Sequence, residues 1–146
     1  MSFLNSFDIS ASGMTAQRQR LDVASENIAN WNTTRTESGG TYRRKMVVLQ
    51  EVPLTSFRTE FNSLLRKTAS KGGVKVTQIV EDQRDLNPVY DPTHPDANED
   101  GYVMRPNVDL VKETTDAMSA TRSYEANITA FNAMKTLAQK ALEIGK

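Results

Sequence analysis

The chain has 146 residues, with 18 Lys+Arg balanced by 18 Asp+Glu, one His, no Cys and 38% hydrophobic residues. Val, Ile, Leu and Phe supply 31 of these, about 21%, just above the roughly 20% below which chains tend to stay disordered. One domain or two small ones are therefore allowed, and a rich private core is excluded. Zero net charge argues against nucleic-acid binding, which needs clustered positive charge to displace phosphate counterions, and it removes the self-repulsion that keeps copies apart.

No window approaches the roughly 18 consecutive apolar residues of a membrane span, so no membrane insertion is expected. The N-terminal run Met1-Ser-Phe-Leu-Asn5 lacks a positive n-region followed by an apolar h-region, so no cleaved signal peptide is expected either. The absence of Cys excludes disulfides and thiolate metal sites without choosing a compartment.

The first predicted element is a helix over residues 5–31. Phe7, Met14, Leu21 and Ile28 recur every seven residues, and Phe3, Ala11, Ala24 and Trp31 fill neighbouring three- and four-residue steps. Asn5 or Ser6 is its expected cap, Asp8 complements the dipole, and residues 30–34 followed by Gly39-Gly40 end it. Gly13 costs such a helix up to about 1 kcal/mol, which implies close approach by a neighbouring helix.

The composition then changes. Residues 42–52 and 74–80 are rich in β-branched side chains, Gly72-Gly73 reads as a turn, and Pro88, Pro92, Pro95 and Pro106 punctuate the stretch beyond residue 80. Two or three short strands and a Pro-rich loop are predicted there. Residues 55–66 place Phe57, Phe61, Leu64 and Leu65 on one face of a candidate helical insert.

A second long helix is predicted over residues 108–144, with Asn107 as cap, Asp109 in the first turn and Gly145 as the stop. Leu110, Ala117, Tyr124, Phe131 and Ala138 form a heptad row, with Thr121, Ile128 and Leu142 beside it. At about 1.5 Å per residue a 37-residue helix is roughly 55 Å long. A compact chain of this size has a diameter near about 40 Å. The helices therefore need cover from other copies or relatives. The predicted fold is mainly α, with long terminal helices paired as a coiled-coil-like hairpin and a small β-rich middle region. Residues 1–36 and 106–146 would form a helical assembly core, and residues 37–105 the middle region.

Candidate chemistry is sparse, and no catalytic or cofactor-binding residue emerges. Asp96-Ala-Asn98-Glu-Asp100-Gly101 matches the first half of a calcium-binding EF-hand loop, but the twelfth position is Asn107 rather than Glu and Pro106 precedes it. Asp96, Asn98 and Asp100 are thus metal candidates whose bland alternative is an Asx/Gly turn. His94 is the only imidazole, so no two-His metal site or Ser/His/Asp relay can be built around a second one. Glu81, Asp82 and Asp85 read as a solvated strand end. Arg43-Arg44-Lys45 reads as a basic run that meets acidic partners or water. Asn27, Asn30 and Asn127 lie in or beside the seams, where a matched hydrogen bond would fix register. The expected assembly interface is Phe7, Met14, Leu21, Ile28, Trp31, Tyr124, Ile128, Phe131 and Leu142.

Several stretches resemble the axial rod and hook proteins of the bacterial flagellum. Ser10-Ala-Ser12-Gly13-Met14-Thr-Ala16, Leu21 and Glu26-Asn27-Ile-Ala-Asn30 are similar to the N-terminal signature of that family. Gly101-Tyr-Val-Met-Arg-Pro106-Asn107-Val-Asp109 and Ser119-Ala-Thr-Arg122-Ser-Tyr124-Glu125-Ala-Asn127 are similar to its C-terminal half. Residues 73–82 and 89–92 look like a short rod member rather than the longer rod and hook proteins. Trp31 departs from the family's usual smaller residue, and residues 53–71 match poorly. The resemblance implies a structural subunit of the proximal rod, exported without a cleaved signal through the flagellar export apparatus. It implies polymerisation through the terminal helices into a torque-bearing drive shaft, with copies of itself, other rod proteins and the basal-body base as partners. The alternative from the residues alone is a cytosolic coiled-coil adaptor for one partner helix, which would form small closed oligomers.

Overall fold

The computed structural model describes residues 3–37, 39–52 and 72–144; the candidate helical insert at 55–66 lies outside them. The elements in chain order are α1 (Phe3–Ala29), β1 (Lys45–Glu51), β2 (Val74–Glu81), β3 (Asn87–Tyr90), β4 (Tyr102–Arg105) and α2 (Leu110–Ile144). β1 pairs with β2 and β3 with β4, giving two two-stranded sheets. The chain divides into two compact units. One holds Met1–Gln19, Val48–Gln78 and Ala120–Lys146; the other holds Arg20–Val47 and Ile79–Ser119.

The element boundaries correct several expectations. α1 starts by Phe3, so Asn5 and Ser6 lie inside the helix and cannot cap it. It ends at Ala29, where Asn30 Nδ2 donates to Glu26 O at 3.0 Å and Thr33 Oγ1 donates to Asn30 Oδ1 at 3.1 Å. The cap of α2 is Asp109, whose Oδ1 accepts Val111 N–H at 3.0 Å and Lys112 N–H at 3.3 Å. Asn107, two residues earlier, is engaged elsewhere. The Pro-rich loop contains a hairpin, with Asn87 opposite Arg105, Pro88 opposite Met104, Val89 opposite Val103 and Tyr90 opposite Tyr102. Pro88 hid β3, because a residue without an N–H fits only an edge strand. In a two-stranded sheet every strand is an edge.

Side chains blunt those edges. Asn98 accepts Tyr102 N–H through Oδ1 at 2.8 Å, while its own N–H donates to Tyr102 O at 2.9 Å. Thr41 Oγ1 donates to Met104 O at 3.1 Å.

In the first unit, α1 and α2 run in opposite senses. The Phe7 ring meets Phe131 edge-on at 4.9 Å and 75°, and six residues further along α1, Gly13 faces Asn127, four residues earlier in α2. Ser12 Oγ donates to Ile9 O at 2.7 Å and accepts Val74 N–H at 3.1 Å, fastening the start of β2 to the helix. Val52 N–H donates to Gly73 O at 2.8 Å just beyond β1.

The covered face of α2 runs through Glu113, Ala117, Ala120, Tyr124, Asn127, Phe131, Met134 and Ala138, in alternating steps of four and three. One predicted row, Ala117 to Ala138, is among them. Its neighbour is Glu113, Ala120, Asn127 and Met134 rather than the predicted Thr121, Ile128 and Leu142. Thr121 is half-buried at the margin, Ile128 is exposed and Leu142 is 76% exposed; Leu110, at the head of the predicted row, is exposed too. The cause is residue size. Ala120 and Asn127 lie on a face shared with small residues, and the buried residues of α1 are also modest in size: Ser10, Ala16, Val23, Ala24 and Asn27. Phe7, Met14, Leu21 and Ile28 flank that seam half-buried.

A Cβ on Gly13 would lie 3.0 Å from Asn127 Oδ1 and 3.2 Å from its Cγ and Nδ2. The close approach expected at Gly13 is that of an α2 side chain, Asn127. Gly13→Ala is therefore expected to be near neutral, a propensity gain of up to about 1 kcal/mol offset by a small shift of Asn127. Gly13→Leu should cost about 1–3 kcal/mol from overpacking. Urea unfolding of both variants checks the difference, and equal stability would disprove the contact.

Candidate functional site

The second unit is organised around a buried polar cluster at the ends of the helices and strands. Asn27, 1% exposed on α1, uses its whole amide. Nδ2 donates to Glu113 Oε2 at 2.8 Å and to Lys45 O at 2.9 Å; Oδ1 accepts Lys45 N–H and the Tyr42 hydroxyl, both at 2.9 Å. The two bonds to Lys45 imitate a third strand at the edge of β1. Glu113, also 1% exposed, accepts Arg44 Nε at 2.6 Å through Oε1. Arg44 further faces Asp116 at 3.5 Å and Asp82 at 3.9 Å. Asn107 completes the frame: Oδ1 accepts Arg44 N–H at 2.9 Å, and Nδ2 donates to Asp82 O at 3.1 Å and Arg84 O at 3.2 Å.

Two sequence expectations fail here. Arg44 does not face water or an outside partner: it is buried beside Tyr42, one strand period away, while Arg43 donates to the carbonyls of Asp82 and Arg84. Asp82 is not a solvated strand-end carboxylate either. It is 6% exposed and paired with Arg84. Glu113 is the functional-site residue that sequence reasoning missed. Its signal was positional, because it stands one heptad before Ala120 in the covered row, where a lone carboxylate demands a buried cation. Lys45 lies over the Tyr42 ring at 5.7 Å and pairs with Glu26.

These contacts shift two groups. Burial first, then the carboxylates of Glu26, Glu113 and Glu81, push the Tyr42 phenol well above its ordinary value, so it stays a donor to Asn27. The Arg84 side chain, followed by the Arg84 backbone N–H, holds Asp82 down to about 2 against an ordinary 3.8. A depressed carboxylate gives stability that is complete above the unfolded value and is lost as pH falls through the folded one. The window is thus about pH 4 to 2. Asp82→Asn is expected to flatten the acid limb of urea stability there, relative to the parent chain. An unchanged limb would disprove the pairing.

The metal candidates form a turn. Asn98 Oδ1 accepts Asp100 N–H at 3.1 Å as well as Tyr102 N–H, and Gly101 takes a positive φ of 78°. Asp96 Oδ2 accepts the Thr34 hydroxyl at 2.8 Å. Asn98 points its oxygen at backbone amides, as an Asx turn requires, and no group of three His, Cys, Asp or Glu suited to a metal occurs among the described residues.

The expected interface residues are scattered between inside and outside. Phe7 and Phe131 meet each other, and Met14, Leu21, Ile28 and Tyr124 are half-buried. Trp31, Ile128 and Leu142 are exposed. Of the motif residues, Ser12, Gly13, Asn27, Asn30, Asn107, Asp109 and Asn127 hold the contacts described above. Pro106 is buried, and its carbonyl accepts Asn87 Nδ2 at 3.2 Å. Arg122 and Glu125 face outward. No helix among the described residues is long and apolar enough to cross a membrane.

Comparison with known proteins places this framework. Residues 7–35 match the family described as flagella basal body rod protein. Residues 99–144 match the C-terminal family of flagellar basal body rod FlgEFG proteins. The chain is 53% identical to the flagellar basal-body rod protein FlgC of Bacillus subtilis, and 41% identical to that of Escherichia coli O6:H1, over all of each chain. It is 40% identical to the Borreliella burgdorferi protein of the same name, over 99% of this chain and 98% of that one. The two matched segments carry most of both helices together with Asn27 and Glu113, and so the chain belongs to the FlgC family of flagellar basal-body rod proteins, structural components of the rod rather than enzymes.

Proposed function

We propose that the chain is a proximal-rod subunit that polymerises through its terminal helices, residues 1–36 and 106–146, paired as a coiled-coil-like hairpin. In this reading it travels unfolded through the flagellar export apparatus, then assembles with copies of itself, other rod proteins and the basal-body base into the drive shaft that carries motor torque. The observation behind the reading is the apolar surface that α2 leaves uncovered in a family of rod subunits. Val111 and Leu142 are each 76% exposed and Leu137 is 65% exposed. Large apolar side chains left in water on one helix mark an association surface. Such a helix gains most of its stability from packing rather than propensity.

Ile128→Asp and Leu142→Asp test it. Both positions are exposed in the chain, so the variants should fold and be exported. Each would place an unpaired carboxylate in a subunit contact, at a cost of about several kcal/mol per interface. Cells carrying either variant are expected to be non-motile with incomplete rods, while exposed Lys75→Asp on β2 stays motile. Intact rods in the helix variants would overturn the assembly role.

A further inference from the structure

The second unit holds an open cleft of about 370 Å³ beside β4, lined by Thr34, Arg35 and Gly40 from one segment and by Asp96, Asn98 and Tyr102 from another. That volume lies within the roughly 300–1,000 Å³ of small-molecule sites. Hydrogen bonds join the two segments: the Thr34 hydroxyl donates to Asp96 Oδ2 at 2.8 Å, and the Thr41 hydroxyl donates to Met104 O at 3.1 Å. The cleft is therefore preformed and does not have to be assembled by a ligand.

Its free groups belong to side chains. Tyr102 N–H is taken by Asn98 Oδ1, Tyr102 O by Asn98 N–H, and Met104 O by Thr41, so three backbone groups that an added peptide strand would pair with are already bonded. Among the described residues, Asn98 Nδ2 keeps two unused N–H donors, Asp96 Oδ1 is an unused acceptor, and the exposed Arg35 guanidinium has no partner. Tyr102 adds an exposed ring, which the exposed Tyr90 ring meets edge-on at 5.3 Å.

Charge narrows the ligand. This unit carries eight Lys+Arg and thirteen Asp+Glu, a formal −5, which repels anions. In the lining itself Arg35 offsets Asp96, leaving no net charge for a cation to neutralise. An uncharged ligand remains, and it must both accept from N–H groups and donate to a carboxylate. A hydroxyl does both. A ring that carries several hydroxyls also has an apolar C–H face, which suits a Tyr side chain with its apolar body and polar tip.

We propose that this cleft binds a neutral saccharide, whose ring lies against Tyr102 and whose hydroxyls bond to Asp96 Oδ1, Asn98 Nδ2 and Arg35. Such binding needs no second copy of the chain. Gly40 offers a way to close the cleft without breaking its walls. It is not among the positive-φ glycines, and an added Cβ would meet no atom within 4 Å, so Gly40→Leu should fold and take up space the ligand needs.

The test titrates the full-length, nitrogen-15-labelled chain with cellotetraose and with the β-1,4-linked tetramer of N-acetylglucosamine, which separates a plain hexose source from an N-acetylated one. Tetralysine and tetraglutamate are the charged controls. One or both sugars are expected to shift the amides of Thr41, Asn98 and Tyr102 with a Kd of about 1 mM or tighter. Affinity should fall at least about tenfold in Gly40→Leu and at least about threefold in Arg35→Ala, which removes a charged donor. No saturating shift with either sugar at about 10 mM, shifts confined to residues away from the cleft, or tighter binding of either charged control would overturn the saccharide site. So would unchanged affinity in a folded Gly40→Leu chain. If Gly40→Leu loses the parent amide spectrum, Arg35→Ala decides, and unchanged affinity there overturns the site as well.

Discussion

Glu113→Ala is expected to cost about 3–5 kcal/mol, the range for removing one partner of a buried ion pair. Total stability for a domain is typically about 5–15 kcal/mol, so the variant should be marginally folded or unfolded at about 37 °C. The carboxylate receives Arg44 Nε at 2.6 Å on one oxygen and the Asn27 amide at 2.8 Å on the other. Without it the guanidinium, whose side chain is 11% exposed, keeps among the described residues Asp116 at 3.5 Å and Asp82 at 3.9 Å. Neither distance gives the strong charge-assisted bond that is lost. The penalty is that of a stranded cation and not the worth of the pair, so removing both charges should restore most of it: Arg44→Met with Glu113→Leu is expected to recover at least about half of the loss. Urea unfolding followed by circular dichroism measures both. A Glu113→Ala loss under about 1 kcal/mol would mean that water reaches Arg44 and that the cluster is not sealed.

The helices were legible because a period maintained over about thirty residues is a strong signal, and α1 and α2 are found within a few residues of the expected ends. Which positions the seam uses was less legible. Hydropathy selects Leu and Ile, whereas the covered rows contain Ala120, Asn127 and Glu113 on α2 and Ala16 and Asn27 on α1. Small residues let the helices come close, and close helices then need polar side chains that bond across the gap. Asn27 illustrates this: the sequence marks it as a possible register-setting amide, but its partners Tyr42, Lys45 and Glu113 are 15, 18 and 86 residues away. Local pattern cannot display such pairs. The β3–β4 hairpin was hidden for a different reason, since four-residue strands stand at the shortest length at which alternation is readable and one of them contains Pro88. Asn107 and Asp109 show how caps go astray, because two good capping residues stood two positions apart and the cluster needed the first.

Gly73→Ala is expected to destabilise the first unit by about 2–4 kcal/mol, the sum of an overpacking cost and a lost hydrogen bond. Gly73 is not one of the glycines with positive φ, so a methyl group is opposed by packing and not by backbone conformation. An added Cβ would sit 2.0 Å from Ser12 Oγ, 2.8 Å from Ser12 Cβ and 3.6 Å from Ile9 Cα. Rotating the hydroxyl away relieves only the first of these, because Ser12 Cβ is fixed by the helix. α1 and the start of β2 must then separate, at about 1–3 kcal/mol for overpacking, and the Ser12 Oγ bond to Val74 N–H is lost, at about 0.5–1.5 kcal/mol. A second substitution distinguishes this account from general intolerance at the turn. Ser12→Gly removes both offending atoms at a helix cost of up to about 1 kcal/mol, so Gly73→Ala placed in the Ser12→Gly background should cost less than about 1 kcal/mol further. Amide exchange at Val74 reports the same event, accelerating in Gly73→Ala and in Ser12→Gly alike. If Gly73→Ala stays within about 0.5 kcal/mol of the parent chain, as an ordinary surface substitution would, or if its cost is the same with and without Ser12, then the helix and strand are not in the contact that brings Ser12 against Gly73.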